Sequence, residues 1–454
     1  MSAFSPQERR AAASLSVVYI TRMMGLFLLL PVLSILAQDL RGATPLLMGL
    51  AVGIYALFQA LLQIPFGLLS DRFGRKPVIL AGLGIFVLGS IVAAMADSIW
   101  GVIVGRALQG GGAISAVVLA LAADLTRDSQ RTKIMAVIGA SIGLSFIVSI
   151  ILGPVLMSAL DLSGIFYCIA LSGVIAAIIV YFVVPEPSGK SKDRNVSLVV
   201  AEVPALLLNR ELLRIDFGIL LLHLLITASF VCIPLRLLEL GIAVPFHWKV
   251  YLIGALASLL IVIPMIGIVE KKLPVNRMMM ISIIGLAVAE ILVAFTSGNF
   301  WLVCFCLMVF FGFLSVLESV LPSLVSRTAP AALRGTAMGI YSTSQFFGAF
   351  LGGVLGGWLV GAVGTVACLI LLGVLCLAWL LVARFMQNPP KLGVYRLPID
   401  AAIIREPSLY EKLTGVRGVE EVTIIPSENA AYLKVRRKEL DEKILLDLTS
   451  NRLQ

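Results

Sequence analysis

Four ionisable side chains lie inside long apolar runs of this sequence, where charged groups are rare. They are Arg22, Arg106, His223 and Glu318, in the first, fourth, seventh and tenth of these runs. A charge in such surroundings costs on the order of 3 kcal/mol, so it is normally paired or functional. His223 titrates in the physiological range and Glu318 is a carboxylate, so either could carry a proton. The alternative for both is a satisfied polar contact between helices.

Depth along the apolar runs predicts which of these side chains meet. Counted at about 1.5 Å per residue from the more basic ends of the runs, Arg22, His223 and Glu318 all lie roughly 10–14 Å deep. Arg106 lies nearer the other side. We therefore expect the first three to share one polar cluster.

A second distinctive stretch, here called the 67–77 segment, separates the second and third apolar runs. It reads Gly67-Leu68-Leu69-Ser70-Asp71-Arg72-Phe73-Gly74-Arg75-Lys76-Pro77. Glycines allow close helix approach and a sharp turn. An acid flanked by arginines at a helix end can form charge-assisted hydrogen bonds across a moving interface. The alternative is a basic membrane anchor with a turn, which needs neither Asp71 nor both glycines.

The elements that carry these residues are predicted to be transmembrane helices. The chain has 454 residues, of which 59% are hydrophobic and 13% charged, and this leaves too little polar surface for a water-soluble globule. The apolar runs are continuous over roughly 20 residues, whereas barrel strands alternate. The predicted spans are 14–37, 45–69, 77–96, 99–123, 133–157, 164–184, 216–238, 248–269, 279–296, 300–325, 336–361 and 364–386.

Basic residues accumulate on one side of these spans. That side carries Arg9, Arg72, Arg127, Lys190 and Arg327 among others, whereas the other side offers Arg41, Arg236 and Lys249. Because basic loops remain in the cytoplasm, both termini are expected there, after an even number of crossings. The net charge of +9 therefore belongs to membrane loops, and no nucleic-acid partner is expected.

Composition divides the chain into four predicted parts. Residues 1–184 and 215–388 form two six-helix bundles, joined by a polar cytoplasmic linker at 185–214. Duplicated halves are the usual build of secondary transporters, with the substrate site between them. Residues 389–454 have ordinary charge density and alternating apolar stretches, which predict a small soluble α+β domain. Its expected order is strand, helix, two strands around a turn at 426–429, and a helix at 439–448.

The 67–77 segment resembles the signature loop of the major facilitator superfamily. The stretch from Arg106 through Gln109 is similar to the family's intramembrane arginine motif. The resemblance covers about residues 14–386 and implies an all-α fold of twelve helices in two bundles that rock around a central cavity. In the family, the first, fourth, seventh and tenth helices line that cavity, which places the four ionisable residues there. Glu290 is a weaker candidate because the ninth helix is usually peripheral.

The fifth predicted span resembles the antiporter motif of proton-coupled drug exporters. Gly143, Gly153 and Pro154 match the motif, while Met157 and Ser158 stand where it has two glycines. This resemblance implies exchange of a substrate for protons.

The family resemblance also implies a conformational latch. In the family, the loop acid docks near the start of the eleventh helix, and the following arginine pairs with an acid ending the fourth, in the outward-facing state. The matching residues here are Asp71, Arg75 and Asp124, with Gly67, Arg72 and Gly74 completing the segment. We hypothesise that these residues form a cytoplasmic latch set by membrane potential or by protonation nearby.

The C-terminal tail narrows the resemblance. An exporter-like facilitator with a short ferredoxin-like tail resembles the YajR group of bacterial inner-membrane transporters, whose appended unit is called the YAM domain. Residues 413–422 are similar in layout to heavy-metal-associated domains, yet no cysteine follows Cys376, so no metal site is expected. Regulation, a dimer contact and ligand sensing stay open for the tail.

Together these features predict a proton-coupled exporter of small amphiphilic or drug-like compounds in the bacterial inner membrane. Its expected partners are a small-molecule substrate, protons and the lipid bilayer, with the proton gradient as energy source and no cofactor. No Walker motif or Ser/His/Asp constellation predicts ATP hydrolysis or an enzyme. The alternatives are proton-coupled uptake, facilitated transport, and a membrane sensor that signals through its C-terminal domain.

Overall fold

The structure is a computed structural model, and it divides into two units. It describes residues 4–186, 206–269, 272–329, 333–388, 393–399, 408–425, 430–436, 439–441 and 444–445. The larger unit comprises Met1–Ala329 and Leu333–Gln387, and the smaller one contains Asn388–Gln454. Most of the predicted linker at 185–214 and half of the predicted helix at 439–448 lie outside the described residues.

The larger unit is a bundle of α-helices. Its N-terminal half contains α1 (Pro6–Phe27), α2 (Leu33–Leu36), α3 (Pro45–Phe73), α4 (Arg75–Ala94), α5 (Ile99–Gly111), α6 (Ser115–Asp124), α7 (Asp128–Met157) and α8 (Leu162–Phe182). Its C-terminal half contains α9 (Arg210–Glu239), α10 (Val244–Pro264), α11 (Val275–Phe295), α12 (Phe300–Thr328) and α13 (Arg334–Ala383). Among the described residues, 10 helices are long and apolar enough to cross a membrane, as expected of a multi-pass membrane protein.

The first helix begins before the apolar run does. Ser5 and Glu8 form a capping box, in which the Ser5 hydroxyl accepts from the Glu8 amide and the Glu8 carboxylate accepts from the Ser5 amide. Pro6 occupies the first helical turn, where a missing amide proton costs nothing. These caps start α1 at Pro6, eight residues before the predicted span at 14–37.

Two helices are interrupted within the bundle. Residues 28–32 form turns between α1 and α2. In α13, Gly364 has φ 81° and ψ 175°, a conformation that interrupts the helix and that glycine adopts readily. The 50 residues of α13 would extend about 75 Å as one straight helix, more than twice the roughly 30 Å of a hydrocarbon core. The predicted spans 336–361 and 364–386 lie on either side of this break.

The two halves of the bundle meet along a glycine seam at one end. We call the end that carries Arg75 the basic side, and the end that carries Pro45 the opposite side. The glycine seam is formed by Gly49 and Gly53 of α3 and by Gly353 and Gly357 of α13. A Cβ atom on Gly353 would lie 2.8 Å from Gly53 Cα, and one on Gly357 would lie 2.9 Å from Gly49 Cα. The helix backbones are therefore in contact on the opposite side.

An aromatic cluster also connects the halves. Phe146 of α7 lies edge-on to Phe230 of α9, with 5.8 Å between the ring centroids, and edge-on to Phe27 of α1 at 5.2 Å. On the C-terminal side, Phe230 contacts Tyr251 and Phe311 at 6.2 and 6.3 Å. Edge-to-face pairs of this kind stabilise close packing. The cluster joins the two halves and lies toward the opposite side, away from the basic end of α1.

The basic side is more open along the same two helices. Outside their own helices, the described residues place no heavy atom within 4 Å of a Cβ built on Gly67 of α3, or on Gly335 and Gly339 of α13. Leu68 on α3 is 50% exposed. The halves are thus in contact on the opposite side and separated on the basic side.

In its described residues, the smaller unit contains a three-stranded antiparallel sheet, a helix before the second strand, and helical residues at 444–445. Its strands are β1 (Gly393–Pro398), β2 (Val419–Ile425) and β3 (Ala430–Val435), in the order β1-β3-β2. The helix α14 (Leu409–Thr414) precedes β2. Buried Leu409, Leu413 and Leu433 belong to a core of its own, as expected for the predicted α+β tail. The turn predicted at 426–429 lies outside the described residues.

Candidate functional site

The 67–77 segment forms a compact ion-pair cluster on the basic side. The Arg75 guanidinium lies 2.6 Å from Asp71 Oδ1 and 3.1 Å from Asp124 Oδ2, and it also donates to the Ser70 hydroxyl at 2.6 Å. Arg75 is only 16% exposed at its side chain, whereas Asp71 is 51% exposed. The structure therefore brings together the three residues assigned to the latch, with Arg75 at the centre.

Almost all of the 67–77 segment is helical. α3 continues to Phe73 and α4 begins at Arg75, so only Gly74, with φ 95°, lies between them. Glycine is required there because side chains disfavour this conformation. Arg72 is exposed, with its guanidinium carbon 5.4 Å from the Phe73 ring centroid, and Gly67 lies on an open face of α3.

A second ion pair on the basic side joins the start of α1 to the turn after α6. The Arg127 guanidinium donates to both carboxylate oxygens of Glu8, at 2.9 and 2.8 Å, and the Arg127 amide also donates to Glu8 at 3.1 Å. The Glu8 side chain is 4% exposed. The hydrogen bonds from Arg127 hold the pKa of Glu8 well below its usual range, and the same contacts raise the pKa of Arg127.

Arg22 lies in a fully buried polar network of the N-terminal half. Its guanidinium donates to Gln59 Oε1 at 2.5 Å and to the Gly112 carbonyl at 3.2 Å. Gln59 in turn donates to the Ser115 hydroxyl at 3.2 Å. The Arg22 guanidinium carbon lies 4.7 Å from the Tyr55 ring centroid, within cation–π range. Arg22 is 1% exposed, and its Nη1 atom is buried without a hydrogen-bond partner among the described atoms, so these dipoles and rings stabilise its charge only in part.

Arg106 contacts the ring of the same tyrosine. Its guanidinium carbon also lies 4.7 Å from the Tyr55 centroid. It donates to the Gly25 carbonyl and to Gln109 Oε1, each at 2.9 Å, and to the Ala51 carbonyl at 3.2 Å. The arginine motif therefore fastens α1, α3 and α5 together through backbone carbonyls. Among the described residues, neither buried arginine has a carboxylate within ion-pair distance.

The C-terminal half contains a titratable pair. His223 Nε2 lies 3.3 Å from Glu318 Oε1 and 2.8 Å from Gln345 Nε2. An amide nitrogen can only donate, so His223 Nε2 accepts from Gln345 and carries no proton there. The side chain of Glu318 is 37% exposed and that of His223 is 14% exposed. The carboxylate is therefore the member of the pair that solvent can reach.

The predicted cluster of Arg22, His223 and Glu318 is divided between the halves. His223 and Glu318 are brought together as expected, but the contacts of Arg22 all lie in the N-terminal half. Including Arg22 was wrong. Equal depth along a helix does not determine which face of that helix a side chain occupies.

The residues that resemble the antiporter motif lie on α7. A Cβ on Gly153 would lie 2.5 Å from the Leu28 carbonyl and 3.2 Å from Pro31, so Gly153 lets α7 pack closely against the interrupted end of α1. Pro154 follows within the helix, and Gly143 has an open face within the described part of the chain.

Comparison with known proteins identifies the class to which the chain belongs. The family model described as Major Facilitator Superfamily matches residues 15–266 and 217–413. The chain therefore belongs to the major facilitator superfamily, a family of membrane transporters, and the resemblance expected from the 67–77 segment is confirmed.

Its relatives include the inner membrane transport protein YajR of Escherichia coli (strain K12), which is 42% identical over 434 residues, with 96% of each chain covered. The tetracycline resistance protein, class B, of Escherichia coli is 32% identical over 37% of this chain and 42% of its own length. Among solved structures, the D-xylose-proton symporter has a TM-score of 0.70 at 15% identity, covering 84% of this chain and 99% of that chain. This last likeness shows the fold alone.

Several contacting residues were not singled out from the sequence. They are Tyr55 and Gln59 in the N-terminal half, Gln345 beside His223, Ser70 beside Arg75, and the Glu8–Arg127 pair. Uncharged side chains carry little signal in a single sequence. Gln59 and Gln345 lie within the predicted spans 45–69 and 336–361, so a search for polar residues within spans would have found both.

Proposed function

We propose that the protein is a proton-coupled secondary transporter that exports small amphiphilic or drug-like compounds by alternating access. The proton gradient is its energy source, and it lies in the bacterial inner membrane. The observation that carries this proposal is the contact between His223 and Glu318 at 3.3 Å, in a bundle whose described residues bring the halves together at the glycine seam on the opposite side.

The half-exposed carboxylate of Glu318 supports exchange of a proton for a cationic substrate. A single carboxylate can be neutralised by a proton or by the charge of an amphiphilic cation, but not by both together. Interactions between charges are strong in surroundings of low dielectric constant, so each ligand weakens binding of the other. Binding of either on one side then favours release of the other on the opposite side, which is antiport.

We propose twelve membrane crossings with both termini in the cytoplasm. The breaks at residues 28–32, 112–114 and Gly364 support this number, because α1 with α2 forms one crossing, α5 with α6 forms one, and α13 forms two. The many basic residues on the side of Arg75 and Arg127 support a cytoplasmic location for that side. With this orientation, the separation of the halves on the basic side corresponds to an inward-open state.

The latch residues Asp71 and Arg75 are proposed to stabilise the closed basic side, and in the inward-open state described here Asp71 is not yet docked. Asp71 here accepts from Arg75 while half exposed to solvent. When the basic side closes, Asp71 docks at the start of α13, where an acid is stabilised by the free amides of a helix N-terminus. Arg75 stays anchored by Asp124 in both states.

The C-terminal unit is proposed to be a ferredoxin-like domain with a regulatory or dimer-forming role. Deletion of residues 390–454 distinguishes a transporter from a sensor. A transporter without this unit keeps measurable flux, whereas a sensor loses its output.

Proteoliposomes with an imposed pH gradient test the proposed function, with ethidium as a fluorescent amphiphilic cation. We expect wild-type protein to move ethidium against its gradient with protons moving the other way. Glu318→Gln abolishes this coupling. Asp97→Asn is the matched control, since Asp97 forms an exposed ion pair with Arg41 on the opposite side. Ethidium flux in wild-type protein that is independent of the pH gradient would overturn the proposal.

The sign of the pH gradient that drives ethidium flux gives the direction of transport. The resemblance to the tetracycline resistance protein supports export.

A further inference from the structure

A line of polar residues runs along one face of α9 at its end on the opposite side. It comprises Ser229, Cys232, Arg236 and Glu239, at successive spacings of 3, 4 and 3 residues. These spacings place the four side chains on one helix face. Polar residues are costly at the depth of Ser229 and Cys232, both fully buried, unless they meet polar partners.

The inner end of this line contacts a buried carboxyl group. Glu290 of α11 is 0% exposed, and its Oε1 atom lies 2.5 Å from the Ser229 hydroxyl oxygen. The same hydroxyl oxygen lies 2.6 Å from the Leu225 carbonyl, which can only accept. A serine hydroxyl has one proton to donate. If that proton goes to Leu225, the short contact with Glu290 requires a proton on the Glu290 carboxyl group, which donates to Ser229.

Among the described residues, no basic side chain lies within ion-pair distance of Glu290. Arg236 donates instead to the Ala294 carbonyl at 2.9 Å, one turn along α11. The titratable groups near Glu290 are the thiols of Cys232 on α9 and Cys376 on α13, and α12, which also packs on α11, carries Cys304 and Cys306. Its second carboxyl oxygen, Oε2, is buried without a hydrogen-bond partner among the described atoms. A carboxylate in this position would be both desolvated and unpaired, which is far more costly than the neutral acid.

The outer end of the line reaches the surface through the break in α13. The Cys232 thiol donates to the Thr365 carbonyl at 3.2 Å, and the Thr365 hydroxyl donates to Glu239 Oε2 at 2.5 Å. Thr365 directly follows Gly364, where the helix is interrupted. Arg236 lies 3.2 Å from the same Glu239 oxygen. Exposure rises along this sequence, from 0% at Cys232 and 6% at Thr365 to 47% for the Glu239 side chain.

We propose that Glu290 is a second proton-binding site, outside the central cavity, which is loaded from the opposite side along Glu239, Thr365, Cys232 and Ser229. We call these four residues the polar track. Loading breaks an O–H bond of a hydronium ion admitted along the track and forms an O–H bond on the Glu290 carboxylate, leaving water. Release breaks that bond and transfers the proton to water, which regenerates hydronium. This proposal rests on the proposed proton-coupled function. It assigns a second proton to Glu290 on α11, in addition to the one bound at Glu318.

A purely structural contact would not need the whole polar track. One hydrogen bond donated to Ser229 satisfies the hydroxyl of a buried glutamic acid, and a glutamine amide would make the same bond. Proton exchange with solvent, by contrast, requires a continuous series of polar groups between the buried carboxyl group and an exposed acid. The polar track provides such a series. The rate of exchange therefore distinguishes the two roles.

Infrared difference spectroscopy of purified full-length protein, between high and low pH and in deuterium oxide, tests the proposal without a known substrate. We expect a carbonyl band of a protonated carboxyl group that is absent in Glu290→Gln and retained in Glu318→Gln. Ser229→Ala should shift the frequency of that band, because the carboxyl group loses its acceptor. Ser282→Ala is the matched control, since the buried Ser282 hydroxyl donates to the Met278 carbonyl on the same helix as Glu290.

The polar track is tested by exchange kinetics. We expect Thr365→Val to slow deuterium exchange of the Glu290 band several-fold while leaving the band in place. A band set that is identical in wild-type protein and Glu290→Gln would overturn the site, and an unchanged exchange rate in Thr365→Val would overturn the track. If wild-type protein shows the infrared band of Glu290 but no pH-driven ethidium flux, the result counts against the proposed function and not against the Glu290 site.

Discussion

The Nε2 atom of His223 on α9 lies 3.3 Å from the Oε1 atom of Glu318 on α12. Because this nitrogen already accepts from the Gln345 amide, it cannot donate to Glu318 at the same time. A proton arriving on the ring must displace Gln345 as the partner of that nitrogen, and it then joins His223 to Glu318 by a charge-assisted hydrogen bond. The pair thus has two arrangements that differ by one proton and by one contact to α13.

Removal of the Gln345 amide tests this switch. Gln345→Leu leaves His223 Nε2 without its neutral partner, so we expect a changed pH profile of ethidium transport in proteoliposomes. Gln38→Leu, at an exposed position near the end of α2, is the control and should keep the wild-type profile. A profile in Gln345→Leu that superimposes on that of wild-type protein would show that the amide does not govern proton binding.

The glycine seam predicts a conformational effect of one methyl group. A Cβ on Gly353 would meet the backbone of Gly53 at 2.8 Å, and backbone cannot move aside as a flexible side chain can. Overpacking of this kind costs about 1–3 kcal/mol. We expect Gly353→Ala to destabilise the contact on the opposite side and to raise the population in which that side is open, by about 5- to 150-fold. Reaction of a single cysteine at position 46 with a membrane-impermeant maleimide measures this.

Gly339 provides a control on the same helix as Gly353. No heavy atom of the described residues outside its own helix lies within 4 Å of a Cβ at this position. Gly339→Ala should therefore leave the labelling rate at position 46 unchanged. Equal labelling rates for Gly353→Ala and Gly339→Ala would contradict the assignment of the seam as a barrier.

Spans and charged motifs were predictable from the sequence, whereas partners across helices were not. Continuous apolar runs predicted the location of Glu318, and the family resemblance implied the pairing of Arg75 with Asp124. The pairing of Arg75 with Asp71 was not predicted, since Asp71 was expected at the start of the eleventh helix. The position of Arg22 was misjudged because contacts depend on the rotation of each helix about its axis, and depth alone does not report rotation. The boundary between the predicted spans 336–361 and 364–386 anticipated the break at Gly364, because one apolar run there is too long for a single crossing.

The latch hypothesis predicts a shift between states when Asp71 loses its charge. In the state described here Asp71 is half exposed, so its ion pair with Arg75 contributes little. A docked acid at a helix N-terminus contributes up to about 2 kcal/mol in favourable geometry. Asp71→Asn should therefore favour the state that is open on the basic side. An unchanged ratio of states, measured against Asp97→Asn, would defeat the hypothesis.

The Glu8–Arg127 pair predicts a pH-dependent contribution to stability. Because Arg127 lowers the pKa of Glu8, the stabilisation is complete above the ordinary glutamate value near ~4.3 and is lost as the pH falls through the lowered pKa. Glu8→Gln should thus lower the apparent Tm at pH 7, and the difference from wild-type protein should shrink only in strong acid. Asp97→Asn breaks a fully solvated pair and should change Tm little. Equal shifts for the two variants would contradict this account.

Alternating exposure of the centre of the bundle is tested most directly by paired spin-label distances in reconstituted protein. In a background without the 6 native cysteines, one label pair at positions 68 and 335 reports the basic side, and a second at positions 46 and 363 reports the opposite side. All four positions are exposed. As the pH is changed, we expect the first distance to shorten while the second lengthens. Distances that stay fixed, or that change together in the same direction, would contradict transport by alternating access.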